Sequence, residues 1–145
     1  MFYDFHNTFD VAAAITVTRN STNVIDLLRA NQDIGAGVPL QIMVSVTTTF
    51  TAAGAATLQI ALVTDDNAAL TSPATLQDQV AVIAVATLVA GFEVPFFIHP
   101  SGIMERYLGI VYTVATGPMT AGAIQAGVLK TIQRWRAYPK NYVTA

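Results

Sequence analysis

Leu40-Gln41-Ile42-Met43-Val44-Ser45-Val46-Thr47 is the stretch that decides the fold of this chain. Leu40, Ile42, Val44 and Val46 fall on one side, and Gln41, Ser45 and Thr47 supply most of the other. Successive side chains of a β-strand point to opposite faces, so a period of two marks a strand with one face in a core. The same rhythm returns in Leu58, Ile60 and Leu62, and again toward the C-terminus. Around these stretches the charges disappear. No charged side chain stands between Asp33 and Asp65, and none between Arg106 and Lys130.

Turn signals separate the strands. Asn20-Ser21-Thr22-Asn23 is a turn cluster between short strand-like runs at 15–18 and 24–27, and residues 33–39 form a glycine-rich bend. Ala53-Gly54-Ala55 reads as a hairpin loop joining a strand at 40–51 to its return at 57–64. Asp65-Asp66-Asn67 closes that return, and residues 68–78 read as a polar connection. Further strands are expected at 80–88 and 93–98, with Ala90-Gly91 between them and a turn at His99-Pro100-Ser101-Gly102. Residues 106–115 and 124–132 read as a last hairpin around Thr116-Gly117-Pro118.

About eight strands with turns every 8–15 residues predict an all-β, antiparallel β-sandwich rather than alternating strands and helices. Strand count favours an eight-stranded jelly roll with N- and C-terminal arms, and an immunoglobulin-like sandwich is the alternative. The 145 residues make one domain. Residues 1–20 are an N-terminal arm or edge strand, 21–133 the sandwich, and 134–145 an aromatic and basic tail.

Composition narrows the function. Charged residues are 11% of the chain, against about 25% for an average soluble domain. A surface so short of charge does little to resist association, which points to a partner or to self-assembly. The net charge is −2 and there is no dense basic face of the kind that binds nucleic acid. The absence of cysteine removes disulfides, thiolate metal sites and thiol nucleophiles. The N-terminus lacks the basic-then-apolar pattern of a secretion signal. The longest apolar run, 80–98, is interrupted by Glu93 and Pro95, so no membrane span is expected.

Little in the chain can do chemistry. His6 and His99 have no second ligand nearby in sequence, and Asp65-Asp66-Asn67 offers too few of the 6–8 oxygens that calcium takes, so turn formation explains it better. Gly35-Ala36-Gly37 lacks the third glycine of a dinucleotide fingerprint. Ser21, Ser45, Ser72 and Ser101 show no nucleophile-elbow pattern. No enzyme activity, cofactor or metal is expected.

The two ends hold the candidate protein-interface residues. Phe2, Tyr3 and Phe5 lie before the first turn, either in an arm that packs on a neighbour or in an ordinary first strand. Arg134, Trp135, Arg136, Tyr138 and Tyr142 combine the only tryptophan with arginine and tyrosine, the types that anchor interfaces. A tail folded back over its own domain, with Trp135 capping the core, is the other reading.

Three segments together resemble a known family. Ser21-Thr22-Asn23-Val24-Ile25-Asp26-Leu27 with Ile34-Gly35-Ala36-Gly37-Val38-Pro39-Leu40, then Arg106-Tyr107-Leu108-Gly109-Ile110-Val111-Tyr112-Thr113-Val114 with Thr116-Gly117-Pro118-Met119-Thr120-Ala121-Gly122, then Tyr138-Pro139-Lys140-Asn141-Tyr142, follow in order. They look like the capsid cement (decoration) proteins of Bordetella phage and related podoviruses, over residues 21–145. The resemblance implies a jelly roll on the outer surface of the virion, acting as a homodimer and clamping adjacent subunits of the major capsid protein. It carries no catalytic or motif-defined binding residues. A carbohydrate- or receptor-binding jelly roll on the virion surface is the competing function, and would need Tyr3, Tyr112, Trp135 and Tyr142 to cluster with Asp65 or Asp66.

Overall fold

The computed structural model describes residues 3–28, 40–98 and 105–129. Nine strands run β1 (Tyr3–Ala14), β2 (Arg19–Asn20), β3 (Ile25–Asp26), β4 (Leu40–Ala52), β5 (Thr57–Asp65), β6 (Ala74–Ala84), β7 (Glu93–Ile98), β8 (Tyr107–Ala115) and β9 (Met119–Leu129), with one 3-10 turn at Val85–Thr87. They form two antiparallel sheets. Sheet I has the order β1-β9-β4-β7, and sheet II the order β2-β8-β5-β6, with β3 also paired to β8.

β2 and β3 are two pieces of one strand. Asn20 lies opposite Val111 and Ile25 opposite Leu108, so both lengthen the same ladder along β8. Between them the chain bulges, and the Ser21 hydroxyl takes over a ladder position by accepting the Ile110 amide at 3.2 Å. Counted this way there are eight strands in two four-stranded sheets, and consecutive strands change sheet at every step except β5–β6. This is the jelly-roll order, and the immunoglobulin-like alternative is set aside.

The expected hairpins at both ends of the domain are therefore corrected. The turn at 53–55 does not fold β5 back onto β4: β4 pairs with β7 and β9, whereas β5 pairs with β6 and β8. The loop at 116–118 likewise carries the chain from sheet II to sheet I. The physical cause is visible in β4, whose register against β9 shifts three times after Val46. Such irregularities bend and twist a strand, and here they aim its end at the opposite sheet. Residues 15–18 are a crossing rather than a strand, tied by Ile15 N–H to Gly122 C=O and by Met119 N–H to Thr16 C=O. The strand expected at 80–88 begins earlier, at Ala74, and gives way to the 3-10 turn after Ala84. The expected bends at 33–39 and 99–102 lie outside the described residues, as does the end of the strand expected to reach residue 132.

The core lies between the sheets. Ile42, Val44, Val46, Ile124, Ala126 and Val128 from sheet I meet Leu58, Ile60, Leu62, Leu108, Ile110 and Tyr112 from sheet II. A second, smaller cluster covers the outward face of sheet II. Leu70, in the loop after β5, sits over Ala61 and Val63 and packs on Val24, Val80 and Val111. Gly109 makes room for it, since a β-carbon there would come within 2.5 Å of Leu70 Cδ1.

Candidate functional site

The most densely bonded polar group is Asp10, near the end of β1 and only 1% exposed. Phe9 and Asp10 are both buried although they are consecutive. A regular strand would turn one of them outward, but β1 shifts register against β9 on either side of Asp10 and Ala12 has a positive φ of 47°. The carboxylate is thereby held at the seam between the sheets. Asp10 Oδ2 accepts from the Tyr112 hydroxyl at 2.8 Å. Oδ1 accepts from Thr22 Oγ1 at 2.7 Å, the Thr22 amide at 3.1 Å and Arg19 Nη2 at 3.0 Å. Arg19 also donates to the carbonyls of Ala14 and Asn20 and lies over the Tyr112 ring, 5.2 Å from its centre.

Chemically this cluster is closed. The Asp10 side chain has no exposed surface. Tyr112 is held as a phenol well above its ordinary titration range, first by burial and then by the adjacent carboxylate. A carboxylate with four donors and no route to solvent is a clasp, joining β1 of sheet I to β2 and β8 of sheet II. Sequence reading missed it because its four residues are spread from position 10 to position 112. Its only local trace is a carboxylate inside the apolar run Phe9-Asp10-Val11.

Asp65 is also used up internally. Its Oδ1 accepts the Asn67 amide and its Oδ2 the Ser72 amide, each at 2.9 Å. These amides, Asn67 first, hold the carboxyl below the ordinary range. The loop they shape delivers Leu70, whose φ is 51°, to the outward face of sheet II. Asp26 and Arg106 make a bidentate pair, with Nε–Oδ1 at 2.9 Å and Nη2–Oδ2 at 2.8 Å, and Arg106 stacks on the Tyr107 ring. This pair ties β3 to the start of β8. Among the described residues no three His, Cys, Asp or Glu side chains converge as metal ligands would. No helix of the described residues is long and apolar enough to cross a membrane.

The candidate interface residues of the sequence fall mostly elsewhere. Phe2, Arg134, Trp135, Arg136, Tyr138 and Tyr142 lie outside the described residues. Tyr3 and Phe5 belong to β1, the outer strand of sheet I. Of the aromatics required for a sugar-binding cluster, Tyr112 is fully buried on Asp10.

The strand edges are where association would begin, because an outer strand offers unpaired amides and carbonyls. Three of the four edges are blunted. β1 is repeatedly bulged, β7 is short and contains Pro95, and β2 and β3 are two-residue fragments. The fourth, β6, carries Asp78 and a register shift in its first half, but its second half is regular. Val80-Ala81-Val82-Ile83-Ala84 of β6 pairs with β5 in unbroken register and contains no charge, and Val82 is 65% exposed. No strand of the described residues pairs with its outer edge.

The Bbp16 family model matches residues 9–128, from the middle of β1 almost to the end of β9. The chain belongs to the Bbp16 family. The family carries the name of a Bordetella phage protein, which places the chain among phage-associated proteins. The matched range takes in the Asp10 clasp, the Leu70 loop and the Val80–Ala84 edge of β6. It leaves out Phe2, Tyr3, Phe5 and the tail from Arg134 onward. No curated protein matches the chain.

Proposed function

We propose that this chain is a non-enzymatic structural protein of the virion, binding the outside of the phage head and cementing adjacent subunits of the major capsid protein. The observation that carries this reading is a jelly roll from a phage-associated family in which the buried polar groups Asp10, Tyr112 and Asp65 are, among the described residues, bonded within the fold. Asp10, Asp65 and Tyr112 hold the domain together and leave a weakly charged exterior. Cementing asks for such an exterior. An interface of about 1,200–2,000 Å² is enough for a stable contact, and many copies on one shell multiply modest affinities.

The partners in this reading are the major capsid protein and a second copy of the chain, without cofactor, nucleic acid or membrane. The uncharged stretch Val80–Ala84 at the outer edge of β6 supports the homodimer, since two such stretches can pair antiparallel about a two-fold axis. Phe2, Tyr3, Phe5, Arg134, Trp135, Arg136, Tyr138 and Tyr142 remain the residues proposed for the capsid contact. The sugar-binding alternative is weakened, because Tyr112 and Asp65 are committed within the domain. The test is co-sedimentation with heads assembled without this protein. Stoichiometric binding with a raised capsid disassembly temperature is the expected result, and failure to bind at micromolar concentration would overturn the proposal.

A further inference from the structure

The charges of this domain are sorted along the length of the sandwich. The ends of β1, β4, β6 and β8 and the starts of β5 and β9 meet at one end, through the pairs Ala14–Ala123, Ala52–Met119, Thr57–Ala84 and Thr57–Ala115. Four segments build that end: 11–18, 47–59, 81–92 and 113–124. None of them contains an ionisable side chain. At the opposite end, where Asp26 and Asp65 both lie across from Tyr107, stand Asp26, Asp65, Asp66, Glu105 and Arg106.

The neutral end is tightly knit. Ile15 N–H donates to Gly122 C=O at 3.1 Å, joining 11–18 to 113–124. Phe50 N–H donates to Leu88 C=O at 2.9 Å, and Thr49 Oγ1 accepts the Ala90 amide at 3.0 Å, joining 47–59 to 81–92. The Thr51 and Thr120 hydroxyls share a 2.7 Å bond across β4 and β9. A surface fixed in advance loses little conformational freedom when a partner covers it. It also carries apolar side chains into water. Val11, Val17, Val82 and Val89 are between 49% and 65% exposed, and among the described residues Leu28 alone joins them as an exposed large apolar side chain.

The chemistry of this end selects its partner. Nucleic acid and anionic lipid call for Lys or Arg, which the four segments lack. Sugars call for exposed aromatic rings, but Phe50 is buried and Phe92 packs against the core. A charged partner would lose water against a surface with no countercharge, a cost that nothing here offsets. What fits is a protein surface that is itself uncharged, since depletion of charge marks the centres of protein interfaces.

We infer that the neutral end is the face by which the chain sits on an uncharged protein surface, which in the function proposed above is the outside of the head. The inference rests on that reading and adds a contact to it. The chain enters its first strand at Tyr3 and leaves its last at Leu129, and these two residues pair at the opposite end. Contacts made from both ends let one copy clamp two subunits.

The test places single charges on the neutral end of the full chain and reads co-sedimentation with heads assembled without it. Ala55 and Val17 are exposed there, and Ala68 is exposed at the opposite end, so substitutions at all three are expected to keep the fold. Ala55→Lys, Ala55→Glu, Val17→Lys and Val17→Glu are each expected to weaken binding about tenfold or more, because either sign is buried unpaired. Ala55→Gln, similar in bulk but neutral, and Ala68→Lys are expected to bind as the unsubstituted chain does. Binding of the unsubstituted chain is expected to vary little with salt. Undiminished binding by all four charged variants would overturn the inference alone. Opposite effects from Lys and Glu would overturn it too, by showing a charged partner. Loss of self-association with head binding intact would overturn it in favour of a second copy. Failure of the unsubstituted chain to bind would overturn the capsid reading and this inference with it.

Discussion

The Tyr112 hydroxyl donates a 2.8 Å hydrogen bond to Asp10 Oδ2, linking residues 102 positions apart on strands of different sheets. Neither side chain reaches solvent, and the other carboxylate oxygen is held by Thr22 and Arg19. The jelly roll thus fastens its first strand to its opposite sheet through a charge that is fully satisfied.

Breaking that clasp from either side is expected to be costly, but unequally. Tyr112→Phe removes one donor and leaves Oδ2 buried without a partner, which costs about 1–3 kcal/mol. Asp10→Ala leaves the buried Tyr112 hydroxyl unpaired and also removes the bonds from Thr22 and Arg19, which reach solvent or keep the Ala14 and Asn20 carbonyls, and is expected to cost more than Tyr112→Phe. Urea unfolding of the two variants measures both. A near-neutral Asp10→Ala would show that the network contributes little net stability.

Gly122 and Gly109 both resist a side chain, for different reasons. Gly122 has a φ of 141°, and a β-carbon there would overlap the Phe50 ring. Both strain and overpacking oppose Gly122→Ala, which is expected to cost about 2 kcal/mol or more. At Gly109 the obstacle is the flexible end of Leu70. Gly109→Ala is therefore expected to cost less, and thermal unfolding of the two variants gives the order.

Asp65 makes stability depend on acid pH. Its carboxyl titrates below the ordinary value because the amides of Asn67 and Ser72 bind the charged form. The stabilisation is complete above the unfolded value of about 3.9 and fades as pH falls through the lower folded value. Asp65→Asn is expected to lower Tm at neutral pH and to converge on the unsubstituted protein at strongly acid pH. A Tm difference that stays constant across the acid range would refute this assignment.

If β6 carries the homodimer, one charge on its open edge should separate the copies. Val82 is exposed and its strand is otherwise uncharged from Val80 to Ala84. Val82→Lys is expected to shift sedimentation toward the monomer with Tm little changed, since the side chain is already in water. An unaltered dimer would move the interface elsewhere.

The strands were legible because burial imposes a period of two. The alternation in Leu40 to Thr47 and in Leu58 to Leu62 places β4 and β5, and Ile42, Val44, Val46, Leu58, Ile60 and Leu62 lie in the core on the face it names. Asp65-Asp66-Asn67 was legible as a turn because short polar side chains bond their own backbone. The pairing was not legible. A turn at 53–55 looks the same in sequence whether the next strand joins its neighbour or crosses to the other sheet. What settles it is the accumulated twist of β4, three register shifts that no residue type announces. The Asp10 clasp was illegible for a related reason, because nothing in Phe9-Asp10-Val11 says that Tyr112 will arrive opposite.

By itself, then, the sequence determined that this is a charge-poor, antiparallel all-β domain, and which faces of β4 and β5 line its core. Those properties follow from local periodicity and from the cost of burying charge. The tertiary structure alone decided the jelly-roll order, the fate of Asp10 and Tyr112 inside the fold, and the edge of β6 that is left open. These depend on contacts between residues far apart in the chain, and such contacts come into being only when the two sheets close on each other.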